Sequence, residues 1–97
     1  MTREMWFVYV ARCADGSIYT GIARDVKTRI AQHDAGKGAR YTRGRGPLTV
    51  RATHRCTTKG RALRLELLVK ALPKPRKEEL TQARLGALAK TLKKKKR

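Results

Sequence analysis

The 97-residue length and the basic composition limit what this protein can be. A chain of this size supplies one domain with a thin core, because it buries only about 60 to 65% of its unfolded surface. With 25 Lys and Arg against 7 Asp and Glu, the formal net charge is +18, which favours nucleic acid as the partner. A membrane partner is not expected, because no hydrophobic run is long enough to span a bilayer and no predicted helix pairs a basic face with exposed aromatic residues.

The two cysteines, Cys13 and Cys56, do not indicate a disulfide framework. Neither has a Cys or His at the spacing of metal ligands, so we expect two reduced thiols. This pattern is typical of a cytoplasmic protein, and association with the nucleoid is one form of that location. The apolar run before Arg12 is too short and too poorly flanked to be a signal peptide.

The first predicted element is a β-hairpin. Residues 5–12 and 17–23 are rich in aromatic and β-branched side chains and flank an Ala-Asp-Gly turn. A two-residue loop would put Tyr9 and Tyr19 on opposite faces, whereas a three-residue loop with Gly16 in the left-handed conformation puts them on the same face. We favour the second register, which also sets Gly21 opposite Tyr9 and leaves space beside the phenol.

A helix is expected next, followed by a loop and a third strand. Asp25 is a suitable N-cap for a helix to about Ala35, on which Arg29 and His33 lie one turn apart and share a face. Residues 37–46 form a basic segment that we interpret as a loop, too polar to pack and too rich in glycine to be helical. The alternation from Leu48 to Arg55 predicts the third strand.

Two further helices are predicted in the last third of the chain. The first runs from about Lys59 to Leu72 and is apolar over most of its circumference, so it should be largely buried. The second runs from Arg76 to about Leu92. We therefore expect one domain at residues 1–92, followed by a basic disordered tail at residues 93–97.

Glu66 is an isolated acid in a basic region. It is the only carboxylate between Ala35 and Lys77. A surface that only holds phosphates gains nothing from it, but phosphodiester hydrolysis needs an anionic oxygen to hold a hard divalent cation. The alternative is a simple ion pair with Lys70 at i+4.

These residues form an ordered set that resembles the GIY-YIG nuclease superfamily, and within it the compact, single-domain bacterial branch. The set consists of Val8-Tyr9-Val10, Tyr19-Thr20-Gly21, Arg29 with His33, and Glu66 on a later helix. The resemblance covers roughly residues 5–80. It implies an α+β fold of two layers, in which a three-stranded antiparallel sheet is flanked by three helices in the order β-β-α-β-α-α.

The resemblance also implies metal-assisted hydrolysis of phosphodiesters, with DNA as the preferred substrate. Glu66 would hold Mg²⁺ or Mn²⁺ and Arg29 would clamp the phosphate. Tyr9 is the candidate general base, while Tyr19 and His33 would orient water or substrate. His33 is the rival base because its pKa lies near neutrality. A phenol can act as a base only where cations stabilise the phenolate, and the sequence supplies many.

The basic loop supplies the candidate nucleic-acid contacts. Its cations and aromatic residue have the interleaving that tracks phosphates and stacks on bases. The residues are Lys37, Arg40, Tyr41, Arg43 and Arg45. A loop of solvated charge is the alternative. No organic cofactor is expected, and a monomer is preferred over a dimer.

Two departures from the superfamily pattern affect the functional interpretation. The first tripeptide is degenerate, although its tyrosine is retained. Many active relatives carry an Asn after the catalytic Glu, and this chain contains no Asn. The alternatives are therefore a structure-directed or nonspecific DNA endonuclease, with DNA repair or recombination as its setting, and a protein that has lost the ability to cut and uses its basic loop and tail to bind DNA or RNA. A ribosome-associated basic protein would leave the Tyr, Arg and Glu set unexplained.

Overall fold

A computed structural model describes residues 5–93 as a three-stranded antiparallel sheet with helices packed on it. The elements are β1 (Trp6–Arg12), β2 (Ile18–Ala23), α1 (Val26–Asp34), a 3-10 turn (Arg40–Thr42), β3 (Thr49–Cys56), α2 (Lys59–Lys70), α3 (Lys74–Glu78) and α4 (Gln82–Lys93). The strand order β2-β1-β3 makes β1 the central strand. The predicted α+β architecture is confirmed. Within the described range, no helix has the length and apolar character that a membrane crossing needs.

The hairpin has the register expected for a three-residue loop. Gly16 has φ +89°, and the Cys13 N–H donates to the Ser17 carbonyl over 2.8 Å. Tyr9 therefore pairs with Gly21, as predicted. Because alternate side chains of a strand point to opposite faces, this register determines which residues surround the Tyr9 phenol.

The sheet carries an apolar cluster on each face. The larger one lies under α2 and α4 and includes Val8, Val10 and Leu65, all fully buried. The smaller one lies on the Tyr9 face, where Leu48 is buried and Ile30 of α1 packs against the cluster. The central strand thus holds a core on one side and the Tyr9 phenol on the other.

The third strand departs from simple alternation at one point. Its pairing with β1 shifts between Val10 and Ala11, where Ala52 and Val50 are the successive partners. The extra residue is Arg51, so a bulge changes which face the side chains take. Leu48 therefore joins the smaller cluster and Ala52 the larger one, although the sequence pattern placed them on one face.

The predicted third helix is wrong as a single element. It is divided into the short α3 and the longer α4, because the intervening Leu80 turns inward and is buried in the larger cluster. Thr81 then starts α4, since its hydroxyl accepts the Arg84 N–H over 3.2 Å. Lys93 closes α4, so it is not part of a tail. Residues 1–4 and 94–97, which include the rest of the predicted tail, lie outside the described residues.

The basic loop is also more ordered than its composition predicts. It contains the 3-10 turn at Arg40–Thr42, and Thr42 is completely buried. The expectation that this segment is too polar to pack and too rich in glycine to be helical is therefore wrong. Hydrogen bonds satisfy the buried hydroxyl of Thr42, which removes the usual penalty for burying a polar group.

Candidate active site

Tyr9 stands at the centre of the candidate site, and a glycine makes room for it. The phenol is buried in the central strand. A Cβ atom on the paired residue Gly21 would lie 2.7 Å from the Tyr9 hydroxyl oxygen and 3.0 Å from the Tyr19 ring. Any side chain at Gly21 would displace one of the two phenols, so the glycine is what allows them to converge.

His33 of α1 completes an aromatic cluster with the two tyrosines. The Tyr9 hydroxyl and His33 Nε2 are 2.9 Å apart and form a hydrogen bond. The ring centroids of Tyr19 and His33 are 5.1 Å apart, and those of Tyr9 and Tyr19 are 6.1 Å apart. Asp25 positions this helix, since its carboxylate accepts the Thr28 N–H over 3.1 Å as an N-cap.

A chain of hydrogen bonds assigns the protons of this cluster. The Thr42 hydroxyl donates to the Ala39 carbonyl over 2.9 Å, so its oxygen is free to accept from His33 Nδ1 at 2.6 Å. We therefore assign the imidazole proton to Nδ1, so that Nε2 accepts the hydroxyl proton of Tyr9. The Ala39 N–H makes a longer contact of 3.4 Å with Nδ1, which suits the other tautomer.

A second glycine lets the loop approach the imidazole. A Cβ atom on Gly38 would lie 2.1 Å from His33 Nδ1, so only glycine can pass the ring at this point. The close approach brings Ala39 and Thr42 within hydrogen-bonding distance of Nδ1. Part of the basic loop therefore serves to orient His33.

Burial keeps the phenol protonated and the imidazole neutral. Burial first, and then the neighbouring Tyr19, raise the pKa of Tyr9 to about 12, while Arg29 opposes the rise and Glu66 adds to it. Burial, and then the positive charge of Arg29, lower the pKa of His33, although Asp34 acts in the opposite direction. Contrary to the expectation from the sequence, nearby cations do not by themselves make the phenol a base in this structure.

Arg29 and Glu66 border the cluster. Both are close enough to Tyr9 to alter its pKa. Arg29 donates a hydrogen bond of 2.9 Å to Gln32, which holds the guanidinium along α1. Glu66 of α2 has a side chain only 15% exposed, and it forms an ion pair of 3.2 Å with Lys70. Both side chains therefore act electrostatically on Tyr9, although α2, which carries Glu66, packs on the larger cluster on the other face of the sheet.

Glu66 is compatible with holding a divalent cation in the way the resemblance implies. Among residues 5–93, no group of three or more His, Cys, Asp or Glu side chains is arranged to enclose a metal. A single carboxylate nevertheless suits Mg²⁺, which keeps several waters and takes further oxygens from substrate phosphates. The ion-pair partner Lys70 is half exposed, so it can turn into solvent and release the carboxylate.

The five predicted nucleic-acid contacts are not equivalent. Lys37, Arg40 and Arg43 are exposed, and Tyr41 is 45% exposed. Arg45 instead forms an ion pair of 2.7 Å with Asp15, and its guanidinium lies 4.5 Å from the Tyr41 ring centroid. Its charge is therefore partly neutralised by Asp15, and the ion pair connects the loop to the hairpin turn.

Sequence reasoning missed the residues that hold His33. Thr42 and Gly38 lie in the basic loop, and their roles depend on how that loop folds back over α1. A signal was present in the sequence, because Gly38 and Thr42 are small residues among the cations. A segment that only contacts phosphates does not need small residues at these positions.

This chain is similar to known proteins in its sequence and in its fold. The family model of the GIY-YIG catalytic domain matches residues 5–79. A UPF0213 protein of Halobacterium salinarum is 49% identical over 76 residues, covering 78% of this chain and 99% of the relative. One of Halalkalibacterium halodurans is 46% identical over 87 residues, covering 90% and 93%. The solution NMR structure of a UPF0213 protein from Bacillus halodurans has a TM-score of 0.53 and 43% identity, covering 96% of this chain and 99% of that one.

Proposed function

This chain belongs to the GIY-YIG family, and we propose that it is a small divalent-metal-dependent endonuclease that hydrolyses phosphodiester bonds of DNA. The observation that supports the proposal is the contact between Tyr9, Tyr19 and His33 on one face of the sheet. The buried Tyr9 hydroxyl is hydrogen-bonded to an imidazole whose pKa is lowered by burial, so the neutral ring can serve as a proton acceptor. Such a pair can accept a proton from water.

Tyr9 and His33 act together as the base in this proposal. The phenol alone is a poor base at neutral pH, because it is already protonated and its pKa is about 12. Tyr9 therefore takes a proton from the attacking water as it passes its own proton to His33 Nε2. The imidazole becomes a cation, and its Nδ1–H remains bonded to Thr42. The hydroxide attacks phosphorus, and the leaving oxygen takes its proton from solvent.

Arg29 and Glu66 hold the phosphate that is attacked. The Arg29 guanidinium can donate two hydrogen bonds to phosphate oxygens, which stabilises the negative charge that grows in the transition state. Glu66 would hold the Mg²⁺ or Mn²⁺ ion, which would withdraw charge from the scissile phosphate when bound. Tyr19 contacts His33 and limits the orientation of the ring.

The wider basic surface supplies the affinity for DNA. Lys37, Arg40 and Arg43 are free to contact phosphates, and such contacts carry no sequence information. We therefore expect structure-directed or nonspecific cleavage by a cytoplasmic or nucleoid-associated protein, with DNA repair or recombination as the setting. A monomer is sufficient, because the proposed residues all come from one chain.

One observation favours a second function, a nucleic-acid-binding protein without cleavage activity. Glu66 is paired with Lys70, as the alternative from the sequence proposed, and the chain has no Asn that could assist a metal. In this case the aromatic cluster would only support the binding surface. If the protein is an endonuclease, replacement of Glu66 should abolish cutting. If it only binds nucleic acid, the wild type does not cut and replacement of Glu66 changes no activity.

The experiment compares Glu66→Ala with Glu79→Ala, a matched loss of an acid that is exposed and lies outside the cluster. Both variants are incubated with plasmid, branched and single-stranded DNA in Mg²⁺ or Mn²⁺. The endonuclease proposal predicts nicking by the wild type and by Glu79→Ala, and DNA binding without nicking by Glu66→Ala. Tight binding without nicking by the wild type in any substrate would instead support the second function.

A further inference from the structure

A second basic surface lies beside the aromatic cluster, outside the loop already described. It consists of two adjoining cavities between β2 and the corner that joins α2 to α3, and we call it the lysine groove. The cavity nearer the site has a volume of about 370 Å³ and is lined by Ile18, Tyr19, Thr20, Tyr41, Lys70 and Lys77. The second, of about 270 Å³, shares three of these residues and adds Ser17 and Lys74.

The lining of the lysine groove is positively charged and contains no acid. Within residues 5–93, the ion pairs join Arg45 to Asp15 and Lys70 to Glu66, so Lys74 and Lys77 keep their charges for a ligand. Three ammonium groups along one groove, two of them unpaired, suit a row of phosphates. A single small anion would not need a groove formed by two cavities.

An array of rings connects the groove to the candidate active site. The Tyr41 ring stacks on Tyr19, with centroids 5.8 Å apart and planes tilted by 29°. Tyr19 in turn contacts His33 and Tyr9. A strand that lies along the lysines therefore meets the stacked rings of Tyr41 and Tyr19, and Tyr41 exposes nearly half of its surface to solvent.

The size of the cavities selects the form of the nucleic acid. The larger cavity has the volume of a small-ligand pocket and the smaller one is just below that range, and the walls of both combine aromatic side chains with cations. A duplex keeps its bases stacked inside, so it cannot place a base in such a cavity, whereas an unpaired strand can. We propose that the lysine groove binds an unpaired strand of DNA and leads it to Tyr9 and Glu66. The cleavage of the bound strand rests on the proposed function, whereas its binding in the groove does not.

The test measures binding in EDTA, where no cutting occurs. Fluorescence anisotropy is used with a short labelled oligodeoxythymidine and with a duplex of the same length. Lys74→Ala/Lys77→Ala removes two groove charges, and Lys27→Ala/Lys90→Ala removes two exposed charges elsewhere. Two lost phosphate contacts should lower the salt slope by about 1.4 and weaken single-strand binding by roughly 25-fold at about 0.1 M salt.

The control variant should lose much less single-strand affinity, and duplex binding should be equally affected by the two variants. If the two double variants weaken single-strand binding equally, or if the groove variant weakens duplex binding just as much, the groove does not hold an unpaired strand. A different result would refute the proposed function alone. In that result the groove variant selectively loses affinity for single strands, but the wild type cuts no DNA in Mg²⁺ or Mn²⁺.

Discussion

Replacement of Thr42 by valine tests whether the basic loop controls the proton on His33. The substitution preserves the shape of the side chain but removes the hydroxyl, which accepts from His33 Nδ1 and donates to the Ala39 carbonyl. Both groups lie in a buried part of the structure. A buried donor left without an acceptor costs about 1–3 kcal/mol, so the free energy of unfolding should fall by up to that amount if the proton stays on Nδ1.

The imidazole has one way to avoid this cost. Its proton can move from Nδ1 to Nε2. Nδ1 then accepts a hydrogen bond from the Ala39 N–H, which lies 3.4 Å away. Nε2–H would now donate to Tyr9, and the phenol could no longer pass its proton to the ring. If restoring the productive tautomer costs the same 1–3 kcal/mol, cleavage should slow by roughly 5- to 150-fold.

The assay combines NMR with chemical unfolding. Long-range proton–nitrogen spectra distinguish the two imidazole tautomers, and a His33→Gln variant assigns the signal. We expect Nδ1–H in the wild type and Nε2–H in Thr42→Val. The control is Thr42→Ser, which keeps the hydroxyl and should keep the Nδ1–H tautomer. An unchanged tautomer and unchanged stability in Thr42→Val would refute the proposed hydrogen-bond chain.

Three further predictions follow from glycine packing and from burial. Gly38→Ala should lower the free energy of unfolding by about 1–3 kcal/mol, because its Cβ would collide with His33. Gly86→Ala in α4 has open space around its Cβ and should raise the free energy of unfolding by about 0.5–1 kcal/mol. Urea unfolding measures both changes. Absorbance at 295 nm should show one tyrosine step near pH 12, and Tyr9→Phe should remove it; the absence of a step near pH 12 in the wild type would contradict burial as the dominant effect. Because the folded-state pKa of His33 lies below 6.5, the unfolded chain binds more protons, so stability should decline as the pH falls from about 6.5 through the folded pKa, and His33→Gln should lose this decline.

The hairpin could be predicted because its information is local. The Ala-Asp-Gly turn and the alternation of side chains determine the register, and the register places Tyr9 opposite Gly21. The division of the last helical region could not be predicted in this way. Its cause is the burial of Leu80 against residues far away in sequence, and helix propensity carries no record of that contact.

The role of the basic loop shows a similar limit. Composition predicted phosphate contacts, which fit exposed residues such as Lys37 and Arg43, but it also predicted a segment without packing. The burial of Thr42 depends on the loop crossing α1, and only the fold brings Gly38 against the His33 ring. The local sequence therefore specified the charges, and tertiary structure specified the buried hydrogen bonds.

The distribution of charge explains why a phenol in so basic a protein keeps its proton. Exposed cations are screened by water and salt within about 10 Å, so most of the +18 charge has little effect on a buried group. At Tyr9, removal of water outweighs the nearby Arg29, and the phenol keeps its proton. The same burial lowers the pKa of His33, which leaves the neutral imidazole able to receive that proton. Burial thus favours the neutral forms of both rings, and in the proposed mechanism Tyr9 has to gain a proton from water as it gives its own proton to His33.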